Sequence, residues 1–582
     1  MGRVLATLIS AIALSATTQF AIAQESSAAR ANPATDFALI NGNIHTMDES
    51  GTVAEAIAIE GDEIVYVGDA SGLANFIGIG TEVIDLEGKM VLPGFVEGHI
   101  HPTAGALIMR GVDLQTDDKQ EILDRLRKYA EANPDLPVVH GYGVRTHIWL
   151  DDGFPTADML DEIDADRPIF LWAVNGHAAW ANTKAFELAG VDADTPETVP
   201  GFSFFERKDD GSPKGWIVEV PAQLQVLSKL IDLNYDYAAE GVAEWLPKFS
   251  EAGITTVHDY GVQGLGAEEG FQIFIDLEKA DEMPLRLQGS FYWNDPSVDP
   301  VAALQALNDQ FDTELVTARS LKINMDGDDE GYSALYTAPY SDKPEAKPEP
   351  IIPIDILNDA VKRADAAGFN IICHCFGDAS VRYVLDAIEL AIAENPPRDR
   401  RNVISHALLV HPDDIPRFAE LGVTWDSSGA WMSFDPVLEN VSISRLGEER
   451  VNRLYPMKAI AEAGGNVSLG SDWPAAGFIS EMRPLVAIRT AVMRQLPGRD
   501  DVPPLGGEDA GVSVDLAIRA NTINAAKGMG RDHEVGSLEA GKKADLVVLS
   551  ENLYEIDPGT IHEVDVLYTM MGGRLTWQHD AE

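Results

Sequence analysis

Leu92-Pro93-Gly94-Phe95-Val96-Glu97-Gly98-His99-Ile100-His101 sets two imidazoles two residues apart at the end of an apolar run. In an extended strand, residues i and i+2 share a face, so His99 and His101 point the same way. Histidine pairs are common in ordinary strands, and the meaning of this one depends on the ends of the other strands. Downstream, apolar strand-like runs alternate with helical patterns such as 354–367 and 381–394, the signature of a parallel α/β fold. The strand candidates are 94–101, 254–259, 285–291, 320–325, 370–375, 402–406, 422–427 and 466–472. Eight strands close a (β/α)8 TIM-like barrel, whose chemistry gathers at the C-terminal strand ends. His374 ends the fifth candidate, His406 the sixth and Asp472 the eighth, while Lys322 lies within the fourth. Four histidines, an aspartate and a lysine on five strands are poor core filling and point to a functional centre. His258, beside Asp259 at the end of the second candidate, is read as a non-ligand.

The connection from about 102 to 253 is far too long for a loop. It carries strand candidates of its own at 138–142 and 168–174, so a large inserted subdomain is expected over the barrel mouth. Residues 341–350, rich in Pro and Lys, read as a surface loop. Both ends of the chain read as β structure. Phe37-Ala38-Leu39-Ile40 meets Asn41-Gly42, a hairpin signal, and short strands continue to Leu92. The tail repeats the style at 544–549 and 564–568. The expected organisation is a small β-sandwich built from both termini (36–92 and 536–582) enclosing a barrel domain at 93–535.

The 582 residues are 45% hydrophobic and 8% aromatic, enough for a full-size core, which excludes global disorder. A net charge of −51 repels phosphate backbones and anionic membrane surfaces, so nucleic acid is not an expected partner. The only cysteines, Cys373 and Cys375, flank His374. In a strand both sulfurs face one side and the imidazole the other, so they read as packed thiols. Residues 1–23 read as a signal peptide: Arg3, an apolar stretch at 4–16, then Ala21-Ile22-Ala23 as an A-x-A cleavage site. A periplasmic or secreted protein is expected, with no integral membrane segment once the signal is removed; a homodimer is compatible with the sequence.

The strand-1 stretch resembles the signature of the amidohydrolase superfamily, and the middle of the chain is similar to amidohydrolase family 3, the YtcJ-like branch. The motifs that carry the resemblance are Gly176-His177-Ala178-Ala179-Trp180-Ala181-Asn182, Gly253-Ile254-Thr255-Thr256-Val257-His258-Asp259, His374-Cys375-Phe376-Gly377-Asp378 and Gly470-Ser471-Asp472-Trp473-Pro474. In the tail they are Asn521-Thr522-Ile523-Asn524-Ala525-Ala526 and the stretch from Gly536 to Leu546. The resemblance implies a two-metal site in which His99, His101 and Asp472 hold one ion, His374 and His406 the other, and carboxylated Lys322 bridges them. The competing reading of Lys322 is an ion pair with Asp326 or another barrel acid. Imidazole and carboxylate ligands suit zinc, as two ions or as one. A metal-bound hydroxide would attack a polarised carbonyl, with Asp472 as proton shuttle. His177 resembles a family residue near the substrate, and Tyr142, Trp172, Trp216 and Trp473 are candidate pocket aromatics.

Two positions depart from the family pattern without removing a ligand. Asp326-Gly327 is followed by Asp328-Asp329-Glu330-Gly331-Tyr332 where a Gly-Ser-Arg-type loop is frequent, and Ser405 stands where Glu often precedes the strand-6 histidine. The expected activity is hydrolysis of a C–N bond in a small amide, N-acyl or N-formyl compound. Lactone or ester hydrolysis and cyclic deamination need the same ligands, and an inactive binding protein is the reading from another class.

Overall fold

In the computed structural model, eight parallel strands form one continuous sheet: β1 Phe95–Ile100, β2 Ile254–Asp259, β3 Arg286–Trp293, β4 Val316–Asn324, β5 Asn370–Cys375, β6 Val403–His406, β7 Thr424–Ser428 and β8 Asn466–Gly470. The described residues are 35–149, 154–174, 176, 178–198, 203–293, 295–329, 331–435, 437–475, 482–499 and 501–579. Residues 1–23, read as a signal peptide, and His177 lie outside them. The strands pair in chain order from β1 to β8, and β1, β2 and β7 are buried throughout, as expected of a parallel sheet covered on both sides. Helices Ala267–Lys279, Pro300–Gln310, Ile354–Ala366 and Asp378–Glu394 occupy the crossovers from β2 to β6. Local chemistry sets their starts: Asp299 accepts from the Val301 and Ala302 amides, and Pro300 takes the first helical position.

Two β sheets form the sandwich. One has the order Glu63–Gly68, Ala56–Glu60, Phe37–Ile40, Glu82–Asp85. In the other, Met90–Pro93 pairs with Asn43–His45 on one side and with Leu546–Leu549 on the other, Val91 standing opposite Val548. This pairing brings the two ends of the chain into one domain. Its core holds Leu39, Ile57, Ile59, Val91, Leu546, Val548 and Met570. The sandwich is tied to the barrel by a buried bidentate pair, Arg286 Nε to Asp545 Oδ2 at 3.0 Å and Nη2 to Oδ1 at 3.2 Å. Asp545 also accepts from the Gly572 amide at 2.7 Å, so the buried charges are matched by directed hydrogen bonds.

Between β1 and β2, α1 (Pro102–Ile108) and α2 (Tyr235–Glu251) pack on each other against the barrel. Gly241 permits this approach, because a Cβ there would run into the Ala106 carbonyl. The chain between them builds a six-stranded mixed sheet from Val112–Asp113 to Pro213–Val218. It has its own core around Leu126, Val139, Leu171, Trp180 and Trp216. Among the described residues, no helix is long and apolar enough to cross a membrane.

Candidate metal centre

The barrel closes between β8 and β1 through backbone hydrogen bonds beside the candidate ligands. Among the described residues no strand ladder joins β8 to β1; instead the Asp472 amide donates to the His99 carbonyl at 2.7 Å and the His101 amide to the Trp473 carbonyl at 2.9 Å. His101 lies just beyond β1 and starts α1, and Asp472 lies two residues beyond β8. These hydrogen bonds bring both imidazoles onto one carboxylate oxygen. His99 Nε2 is 3.0 Å and His101 Nε2 3.4 Å from Asp472 Oδ1. From β6, His406 Nε2 lies 4.0 Å from Asp472 Oδ2. Its ring is 4.9 Å from that of His99 and 4.3 Å from that of His374. His406 and Asp472 both have positive φ, 66° and 59°, a conformation that costs energy outside glycine and gathers at functional sites.

The tightest group is His99, His406 and Asp472, whose ligand atoms all lie within 4.8 Å of one another. It draws one histidine from each of the two ligand sets implied by the resemblance, with His101 beside Asp472 and His374 beside His406. Among the described residues, His374 Nε2 and His406 Nδ1 have no hydrogen-bond partner, and the two His99 nitrogens meet only the Asp472 and Asp426 carboxylates, at 3.0 and 3.4 Å and outside good hydrogen-bond geometry. Buried polar atoms are nearly always satisfied, so this set of ring nitrogens around a carboxylate fits a divalent cation. Burial lowers His374 to about 3, with Lys322 adding to the effect, and drives His406 well below its ordinary value. Burial also lowers His101. Neutral imidazoles are the form that ligates. For His99, burial is outweighed by Asp472 and Asp426, which raise it. Burial alone would raise Asp472, but His99 and the hydrogen bond from His101 hold it well below the usual carboxylate range.

Lys322 is buried on β4; its Nζ donates to Ser405 Oγ at 3.2 Å and stands 4.7 Å over the Tyr260 ring. Asp326, its expected alternative partner, is otherwise engaged. It accepts from the Leu335, Phe376 and Gly377 amides and from Ser380 Oγ at 2.8–3.0 Å. Burial lowers Lys322 to about 8.

Three further groups escaped sequence reasoning. Asp426, fully buried on β7, accepts from Ser468 Oγ at 2.7 Å and brings Oδ2 within 3.4 Å of His99 Nδ1. Carboxylates behind a ligating imidazole orient the ring and fix its tautomer. The Tyr260 ring stacks on His99 at 3.9 Å. Glu97 accepts from the His99 amide at 3.2 Å and the Ser471 amide at 2.6 Å, and burial pushes it up to about 8. The available signal was an acid inside an otherwise apolar or small strand, present in both Glu97 and Asp426.

The four candidate pocket aromatics are all buried. The Trp473 ring packs on Trp245 and Phe249 of α2 at 4.6 and 5.6 Å, over Gly105, where a Cβ would fall inside the indole. Trp216 stacks on Phe154 at 5.4 Å in the core of the insertion. Tyr142 and Trp172 are buried in the cluster shared by insertion and barrel. His258 is buried with Nε2 3.4 Å from Gln288 Nε2 and stands outside the tight ligand group. Cys373 and Cys375 are free, buried thiols.

Residues 82–577 match the sequence profile of the amidohydrolase family. The protein LONG AFTER FAR-RED 3 of Arabidopsis thaliana is 30% identical over 549 residues, covering 93% of this chain and 91% of that protein. The N-substituted formamide deformylase of Arthrobacter pascens is 27% identical over 559 residues, 93% of this chain and 98% of the deformylase. A solved metal-dependent hydrolase from Pyrococcus horikoshii OT3, 22% identical, shares the fold with a TM-score of 0.71 over 90% of this chain and 99% of its own. Profile and relatives alike run through the barrel and into both halves of the sandwich, so this chain belongs to the amidohydrolase family.

Proposed function

We propose that this chain is an exported, zinc-dependent hydrolase that cuts the C–N bond of a small N-acyl or N-formyl amide. The observation that carries the reading is the buried convergence of His99, His406 and Asp472 within 4.8 Å, with His374 Nε2 and His406 Nδ1 left without a hydrogen-bond partner among the described residues. These three residues would hold the first ion, and His101 and His374, with carboxylated Lys322 as a bridge, would extend the site to a second. When bound, zinc supplies a Lewis acid and an activated water at neutral pH. The chain supplies the rest. Asp472, held as a carboxylate, takes a proton at its carboxyl oxygen and returns it to the leaving nitrogen. Asp426 and Tyr260 fix the His99 ring. The similarity to a formamide deformylase along nearly its whole length supports an amide or formamide as substrate.

The deciding experiment combines zinc content of the purified protein with turnover of N-formyl and N-acyl amines, alongside lactones, esters and cyclic deaminase substrates. Zinc-dependent amide turnover is the expected result. Protein that binds no zinc, ignores added zinc and turns nothing over would be a binding protein on a hydrolase fold. The partner is a small molecule rather than nucleic acid, in keeping with a net charge of −51; a homodimer is the proposed assembly, which sedimentation would test.

Export makes a separate prediction. Protein isolated from its native host is expected to begin at Gln24, after Ala21-Ile22-Ala23. Mass spectrometry of the mature N-terminus reads this directly, and an intact Met1 on folded, active protein would overturn it.

A further inference from the structure

The seam between β8 and β1 carries the two segments that bear His99, His101 and Asp472, yet no strand ladder joins them among the described residues. Two glycines let the backbones meet. A Cβ on Gly98 would stand 2.8 Å from the Leu469 carbonyl oxygen, and one on Gly470 would stand 2.8 Å from Glu97 Oε1. Two carboxylates reach this narrow gap, Asp426 against Gly98 and Glu97 against Gly470, and Glu97 bridges its two sides. Glu97 Oε1 accepts from its own strand at the His99 amide, 3.2 Å, and from the opposite side at the Ser471 amide, 2.6 Å. The bridged residues are a histidine ligand candidate and the immediate neighbour of Asp472. Glu97 is 3% exposed, so both hydrogen bonds are made away from bulk solvent.

We infer that Glu97 is a positioning residue: beside the two backbone hydrogen bonds that cross the seam, its Oε1 supplies the side-chain tie that holds His99, His101 and Asp472 in one register. Length and acceptance define the role. Aspartate is shorter by one C–C bond, about 1.5 Å, and cannot span the seam. Glutamine keeps both the reach and a carbonyl oxygen that accepts both amides. The consequence for the metal rests on the proposed zinc reading; the consequence for the seam does not.

The test uses the full chain with Glu97→Ala, Glu97→Asp and Glu97→Gln. Hydrogen exchange is read in the metal-free protein over the peptide spanning 466–473, zinc affinity by competition with a chromophoric chelator, and kcat and KM separately. Alanine and aspartate are expected to speed exchange at Ser471 and weaken zinc binding by about 10- to 100-fold, the usual range for groups that orient metal ligands. They are expected to lower kcat more than they raise KM. Glutamine is expected to restore all three readouts close to wild type, which a generic folding role or a charge role would not produce. If alanine fails to fold, the contrast between glutamine and aspartate decides the matter. Unchanged exchange and zinc affinity in the aspartate variant would overturn the inference, as would a glutamine variant as impaired as aspartate. A protein that binds no zinc but shows the expected exchange pattern would sink the functional proposal and leave the seam assignment standing.

Discussion

Replacing Lys322 by alanine is expected to remove metal and turnover together, with kcat/KM falling by more than about 100-fold, because groups that merely orient ligands already cost 10- to 100-fold. An ammonium has three donors and no acceptor, so a protonated lysine cannot ligate a cation. Lys322 sits inside the barrel with no ion pair to an acid among the described residues: Nζ donates to Ser405 Oγ, and Asp326 spends its oxygens on backbone amides and Ser380. Burial lowers Lys322 to about 8, so a useful fraction of neutral amine is present near neutral pH, and that fraction grows as pH rises through 8. On the bridging proposal, that neutral nitrogen would attack carbon dioxide: an N–C bond would form, one C=O electron pair would move to oxygen, and a proton would leave nitrogen for solvent. The product would be a carbamate anion with two oxygens, enough for a bridge. Acetate or propionate added to Lys322→Ala should then restore part of the zinc content and part of the rate. Lys322→Arg should fare no better than alanine, because guanidinium stays charged and is not carboxylated. An alanine variant with full zinc and normal rate would end the bridging proposal.

The barrel and the polar residues that converge at its strand ends were legible because the signals are local. Each strand is a short apolar run, and His, Asp or Lys within or just after such a run is conspicuous. The boundaries moved where a local rule met tertiary context. β4 begins at Val316 rather than 320 because exposed Arg319 interrupts the apolar run without ending the ladder. β8 stops at Gly470 because Asp472 turns into positive φ. What stayed hidden depends on contacts across the chain. Glu97 acts through Ser471, 374 residues away, and Asp426 acts through His99 on the far side of the sheet order; no spacing rule connects either pair. The surroundings of the aromatics were hidden too. Trp473 adjoins Asp472, and its ring packs on Trp245 and Phe249 of α2; only the packing decides which way a bulky side chain leaves a turn.

Asp472→Asn should leave the fold and much of the zinc in place while lowering kcat by ~10²–10⁴-fold, the usual worth of general acid–base catalysis. The substitution is nearly isosteric, so the Oδ1 position that meets His99 Nε2 at 3.0 Å and His101 Nε2 at 3.4 Å can be kept by the amide oxygen. What is lost is a base. Asp472 is held well below the usual carboxylate range by His99 and His101 and is therefore ionised across the neutral range, whereas asparagine neither accepts a proton nor returns one. The return step gives the sharper test. An amide nitrogen leaves poorly unless it is protonated, whereas an aryl ester leaves as a stabilised phenolate. If Asp472 protonates the leaving group, the asparagine variant should lose more on alkyl amides than on activated anilides, and least on aryl esters. Zinc content and circular dichroism on the same preparation separate this from loss of metal or fold. Activity within a few-fold of wild type would reject the shuttle, and an equal loss across all leaving groups would confine Asp472 to the first proton transfer.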